Sequence, residues 1–144
     1  MATFTLYQDF KEQLGKGTHN LSTNTIKVAL TNTAPNTATH VALADITQIS
    51  TGGGYTGGAG GGVALSGVSY TETGGTGTFI ATDTVITAAG GSIGPFRYAV
   101  LYNDTTTTPV VDALIGYVDY GSSITLADTE SFTLDYTTSI FTIA

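Results

Sequence analysis

The stretch Val68-Ser69-Tyr70-Thr71-Glu72-Thr73-Gly74-Gly75-Thr76-Gly77-Thr78-Phe79-Ile80-Ala81-Thr82 places two runs of strand-forming residues on either side of a Gly-Gly pair. Gly74 and Gly75 mark a turn, so residues 68–73 and 76–82 read as two strands on either side of it. The same vocabulary of Val, Ile, Thr, Tyr and Phe recurs at 85–87, 96–102, 113–120, 123–126, 131–136 and 139–143, with turn residues between the runs. On the N-terminal side, residues 25–31 alternate Ile26, Val28 and Leu30 with Thr25, Lys27 and Ala29, which sets one apolar row inward. Asn32, Pro35 and Asn36 then end that strand. Parallel strands need crossovers of roughly a dozen residues, usually helical, whereas the connections here are loops. The expected fold is therefore all-β: an antiparallel β-sandwich of jelly-roll-like type.

One short helix is expected to precede it. Leu6, Phe10 and Leu14 recur at spacing four with Tyr7 beside Phe10, giving residues 6–14 one apolar face. Thr5 and Gln8 have the spacing of a capping box, Lys11 and Lys16 lie toward the carbonyl end, and Gly15 and Gly17 supply the stop. The 144 residues fit one domain of ordinary size, read as an N-terminal helix or arm over 1–24 and a single sandwich over 25–144. Residues 41–49 follow neither the helical nor the strand period. Residues 52–62 hold eight glycines among eleven positions, with little side chain to bury, so a flexible or unusually shaped loop is expected there.

Composition removes several functional classes. Only 15 residues are charged, 4 basic and 11 acidic, and 29 are threonine, so the surface must be built mainly from hydroxyls and glycine. A net charge of −7 argues against nucleic acid as a partner, because a phosphate-binding surface needs clustered Lys and Arg. No run approaches the roughly 18 apolar residues of a membrane-spanning helix, so no membrane partner is expected. The absence of cysteine excludes disulfides, thiol nucleophiles and zinc–thiolate clusters. Residues 1–10 have neither the basic nor the apolar region of a secretory signal, and the expectation is a protein made and used in the cytoplasm or released on lysis.

The chemical motifs are weak. Gly52-Gly53-Gly54-Tyr55-Thr56-Gly57 matches GxGxxG letter by letter, but it follows no good strand, and the glycines after it cannot hold the helix that would face a pyrophosphate. His19 and His40 are the two ordinary bases, neither is flanked by a nucleophile motif, and both read as surface or loop histidines. No catalytic residue and no cofactor is expected. Asp104, Asp112, Asp119, Asp128, Glu130 and Asp135 supply hard oxygen ligands without a DxDxDG loop, and read as solvated acids at edges and turns rather than as a calcium site. Arg97, beside Phe96 and Tyr98, reads as a structural ion pair or a guanidinium stacked on a ring, with an interface anchor as the sharper alternative. Residues 1–27 sum to +1 and residues 28–144 to −8, so the N-terminal segment either docks on an acidic neighbour or packs on its own sandwich through Leu6, Phe10 and Leu14.

Several stretches add up to a family likeness. Thr25-Ile26-Lys27-Val28-Ala29-Leu30-Thr31-Asn32-Thr33-Ala34-Pro35, Ala44-Asp45-Ile46-Thr47, Gly54-Tyr55-Thr56-Gly57-Gly58, Ile93-Gly94-Pro95-Phe96-Arg97-Tyr98-Ala99-Val100-Leu101-Tyr102-Asn103-Asp104 and Leu114-Ile115-Gly116-Tyr117-Val118-Asp119-Tyr120-Gly121 resemble small virion structural proteins of tailed bacteriophages. The resemblance implies a non-enzymatic particle component located on the virion. The first expectation is a capsid decoration, or cement, protein that binds and bridges major capsid protein subunits, self-associated as a trimer. A tail or fibre component with a host-binding sandwich is the alternative. Interface positions expected on this reading are Leu6, Tyr7, Phe10, Lys11, Leu14 and Arg97.

Overall fold

The computed structural model describes residues 3–144, so the first two residues of the expected N-terminal arm lie outside it. Ten strands and one α-helix follow in the order β1 (Phe4–Leu6), α1 (Gln8–Gly15), β2 (Ile26–Thr31), β3 (Val63–Ala64), β4 (Ser69–Thr73), β5 (Thr76–Ile80), β6 (Thr84–Thr87), β7 (Ile93–Asn103), β8 (Ala113–Leu126), β9 (Ser131–Leu134) and β10 (Phe141–Ile143). Every pairing is antiparallel. The strands form a five-stranded sheet in the order β1-β8-β7-β2-β3, a three-stranded sheet β10-β5-β4 and a two-stranded ribbon β6-β9. The all-β class with one short N-terminal helix is thus what the chain adopts. The β4–β5 hairpin turns at Gly74 and Gly75, with φ of 61° and 88°, as two central residues of positive φ require.

The large sheet is covered on both faces, and this is where the simple alternation of residues 25–31 falls short. Ile26, Val28 and Leu30 are buried as expected, but Ala29 and Thr31 are buried too. Register explains it: Val28 pairs with Leu101 and Ile26 with Asn103 on one face, while Ala29 pairs with Val100 and Lys27 with Tyr102 on the other. Over the first face lie α1 and the small sheets. Phe141 stacks on Phe4 at 5.8 Å, meets Phe10 edge-on at 5.5 Å and tilts against Phe79 at 5.3 Å, so one ring joins β1, α1, β5 and β10. At the other end Phe96 of β7 meets Phe132 of β9 at 5.2 Å.

Over the second face lies the glycine-rich segment 52–62. The buried Tyr55 hydroxyl accepts the Leu30 backbone N–H at 2.9 Å and donates to Gln48 Oε1 at 2.9 Å. The Tyr102 hydroxyl donates to the Gly61 carbonyl at 2.5 Å, and Lys27 Nζ to the Gly60 carbonyl at 2.8 Å. At Gly62, with φ of 85°, a Cβ would run into the Val28 carbonyl, so the backbone of the segment rests directly on β2. The loop is unusually shaped, as one of the two expectations had it, and it serves as a lid on the sheet.

The N-terminal segment differs from expectation in one respect. Leu6 and Thr5 are not helical: they pair in β1 with Gly116 and Tyr117 of β8, and the expected Thr5–Gln8 capping box does not form. The helix begins after Tyr7, whose side chain makes no capping bond. It ends as glycine dictates: Gly17 turns to φ 79°, and Thr18 N–H reaches back to the Gln13 carbonyl at 3.0 Å. The runs 113–120 and 123–126 belong to one strand, β8, which carries extra residues around Gly121 (φ 97°) opposite β7.

Candidate functional site

The expected interface residues separate by burial. Tyr7 and Phe10 are 0% and 1% exposed and belong to the chain's own core, and Leu6 and Leu14 pack partly against that core. These four are thus occupied within the chain, because β1 and α1 are built into the large sheet and the Phe141 cluster. Lys11 is exposed and Arg97 half-exposed.

Arg97 makes the ion pair and the ring contact foreseen for it. Its Nε and Nη2 donate to the two carboxylate oxygens of Asp119 at 2.8 and 3.0 Å, and its guanidinium carbon lies 5.3 Å from the Tyr98 ring centroid. Arg97 and the Gly121 N–H hold the Asp119 carboxyl below the usual carboxylate range. Lys16 pairs with Glu12, and Lys27 with Asp104 at 3.0 Å. Lys11 is left as the one side-chain cation with no ion pair among the described residues.

His19 is not a surface residue. It is 6% exposed, with Phe10 5.0 Å away on one side and Asn103 of β7 on the other. The Asn103 amide oxygen accepts the Thr105 N–H at 3.0 Å and its nitrogen donates to Asn24 Oδ1 at 2.8 Å, so the same nitrogen faces His19 Nδ1 as a donor at 3.1 Å. Nδ1 is therefore the acceptor and the ring proton sits on Nε2, which is buried with no partner among the described residues. Burial pushes the imidazole from 6.5 down to about 4. His19 also lines a cavity of about 430 Å³ together with Leu14, Leu21 and Tyr70. His40 accepts the Asn36 N–H on Nδ1 at 3.2 Å and fixes a local turn.

The carboxylates of the last third are mostly committed to turns. Asp128 accepts the Gly90 N–H, Glu130 that of Ala127 and Asp135 that of Thr137, at 2.9, 2.7 and 2.7 Å. With Asp104 and Asp119 held by cations, Asp112 alone of the six has no hydrogen bond or ion pair from its side chain among the described residues. No group of three His, Asp or Glu converges on a metal-sized space among the described residues. The GxGxxG stretch leads into no helix; Gly52 and Tyr55 instead bond each other's backbone at 2.9 and 3.0 Å.

Asp112 lines an apolar cavity of about 420 Å³ between the 3₁₀ turn Leu43–Asp45, the glycine-rich lid and the β7–β8 connection. Leu43, Ile46, Ala59 and the 60%-exposed Val111 form its walls. Both ends of the Gln48 amide at its rim are engaged, by Gly58 and Tyr55. Asp112 is held by its own backbone, N–H to the Thr106 carbonyl and C=O from the Leu43 N–H, both at 3.0 Å, in a left-handed conformation (φ 50°) that aspartate tolerates. Burial and the neighbouring Asp104 raise its carboxyl above the ordinary range. Sequence inspection groups Asp112 with the other acids, since the residues that set it apart come from segments about 50 and 70 positions away. No helix among the described residues is long and apolar enough to cross a membrane. Comparison with protein-family models, with curated proteins and with solved structures finds no match, so the likeness to phage virion proteins rests on the quoted stretches alone.

Proposed function

We propose that this chain is a virion structural protein of a tailed bacteriophage, a capsid decoration protein that binds and bridges major capsid protein subunits and stabilises the head. It acts without cofactor or catalysis, on the outer surface of the shell, and it self-associates as a trimer. The observation that carries this reading is the charge inventory. Three of the four side-chain cations are neutralised by the chain's own acids, leaving a hydroxyl-rich surface whose free charge is almost all negative. Such a surface is repelled by packaged genome and host nucleic acid, as a component assembled on a filled head must be. Bridging acts by linkage: a ligand of the assembled shell that does not bind free subunits shifts the equilibrium toward the shell, and many weak sites add up.

Localisation in a particle reconstruction tests the proposal. Density on the shell at high copy number, with stripped particles releasing DNA at lower temperature than complete ones, is the expected result. Density confined to the tail, with stripped and complete heads equally robust, would overturn it in favour of a tail or fibre component.

A further inference from the structure

Among the described residues Lys11 is the one side-chain cation without an ion pair, and Asp112 lines an apolar cavity with no side-chain hydrogen bond or ion pair; the two do not meet. Lys11 stands exposed on α1, the helix that sends Phe10 toward His19 and the Asn103 face of the large sheet. Asp112 lies with the lid that covers the opposite, Tyr102 face. In a chain of net charge −7, a contact between copies gains from setting a cation against an acid, and Lys16, Lys27 and Arg97 already pair within the chain. A lysine also fits the cavity's shape and chemistry, since its four-carbon stem covers apolar surface while its ammonium seeks an oxygen.

We propose that the cavity receives the Lys11 side chain of a second copy of this chain, its stem against Leu43, Ile46 and Val111 and its ammonium on the Asp112 carboxylate. This rests on the self-association put forward above and names its contact. Because donor and acceptor lie on different surfaces, the contact is head-to-tail, and such a contact generates a ring when the rotation closes. A carboxylate partly withdrawn from water and crowded by Asp104 gains more from an incoming ammonium than a solvated one does. The backbone bonds to Thr106 and Leu43 hold it in place before the partner arrives.

A charge swap tests the contact on the full chain, read by sedimentation equilibrium with circular dichroism confirming the fold. Lys11→Glu and Asp112→Lys should each weaken association at least tenfold, on the order of 1.4 kcal/mol. The double variant K11E/D112K should restore it, and an equimolar mixture of the two single variants, whose alternation sets unlike charges together at every contact, should associate where each alone does not. Asp112→Asn, which keeps the left-handed backbone, should weaken association and remove its sensitivity to salt. A double variant no stronger than the singles, single variants that associate like the parent, or a parent monomeric at every concentration would each overturn the contact. Location on the particle is read separately: shell density with an ineffective swap overturns the contact alone, and tail density with a working swap overturns only the capsid assignment.

Discussion

Acidification should destabilise this protein through His19 before it does so through the carboxylates. The unfolded chain takes up the histidine proton near 6.5, whereas the folded ring resists it down to about 4. The folded-state pKa is depressed, so the unfolded state binds more protons in this window and stability falls as pH falls from about 6.5 to 4. Above the window both states are neutral and the full contribution is present; below it both are charged and no further loss comes from this residue. At 1.36 kcal/mol per pH unit the loss reaches at most about 3 kcal/mol, a large share of the roughly 5–15 kcal/mol of an ordinary domain. Two structural causes act together: the ring is buried between Phe10 and Asn103 of the large sheet, and protonating Nδ1 would set a donor against the Asn103 amide donor. Carboxylates with lowered pKa, such as Asp45 and Asp119, lose their contribution only below the ordinary carboxylate range, which separates their effect. The raised Asp112 acts with opposite sign and is present in both chains of the comparison. Urea unfolding of the parent and of His19→Gln, followed by circular dichroism at pH 7.5, 6, 5 and 4, isolates the term, because glutamine keeps an acceptor for Asn103 and removes the titration. The parent should lose up to about 3 kcal/mol more than the variant between pH 7.5 and 4. Parallel curves, or an NMR titration placing His19 near 6.5 in the folded protein, would refute the reasoning.

Three further outcomes follow from packing and backbone geometry. Phe141→Ala should cost about 3–5 kcal/mol of unfolding free energy measured in urea, since that ring joins β1, α1 and β5 and its loss leaves a cavity among Phe4, Phe10 and Phe79. Gly62→Ala should lower the melting temperature well beyond Gly58→Ala: both residues have φ near 85°, but a Cβ at Gly58 meets open space and one at Gly62 meets the Val28 carbonyl. The Gly58 change should cost about 1 kcal/mol, the price of the left-handed backbone alone. Tyr55→Phe should cost about 1–3 kcal/mol by chemical unfolding and speed amide exchange at Leu30, because the Leu30 N–H then lacks its acceptor beneath the lid.

What the residues determine unaided is everything that depends on near neighbours along the chain. The Gly74-Gly75 turn, the apolar row Ile26, Val28, Leu30 and the stop at Gly17 are set within a few positions, so the antiparallel all-β class and the single helix can be read directly from them. Arg97 is legible for the same reason: a lone cation amid acids and rings has few alternatives, and it takes both an acid and a ring. Tertiary structure alone decides whatever requires a partner distant in sequence. Thr5 and Leu6 look like the cap and first residue of a helix until β8 offers them an edge more than 100 residues later. Ala29 and Thr31 look solvent-facing until the lid and the segment at Thr47 and Gln48 pack against β2, and a run of glycines gives no local sign that its backbone will rest there. His19 becomes a buried neutral base only because Asn103, 84 positions on, completes its network. Asp112 differs from its fellow acids only through the cavity that Leu43, Ala59 and Val111 build beside it. Periodicity reports a side chain's direction, whereas the surface that meets it is fixed by strand register and loop docking between segments far apart in the chain.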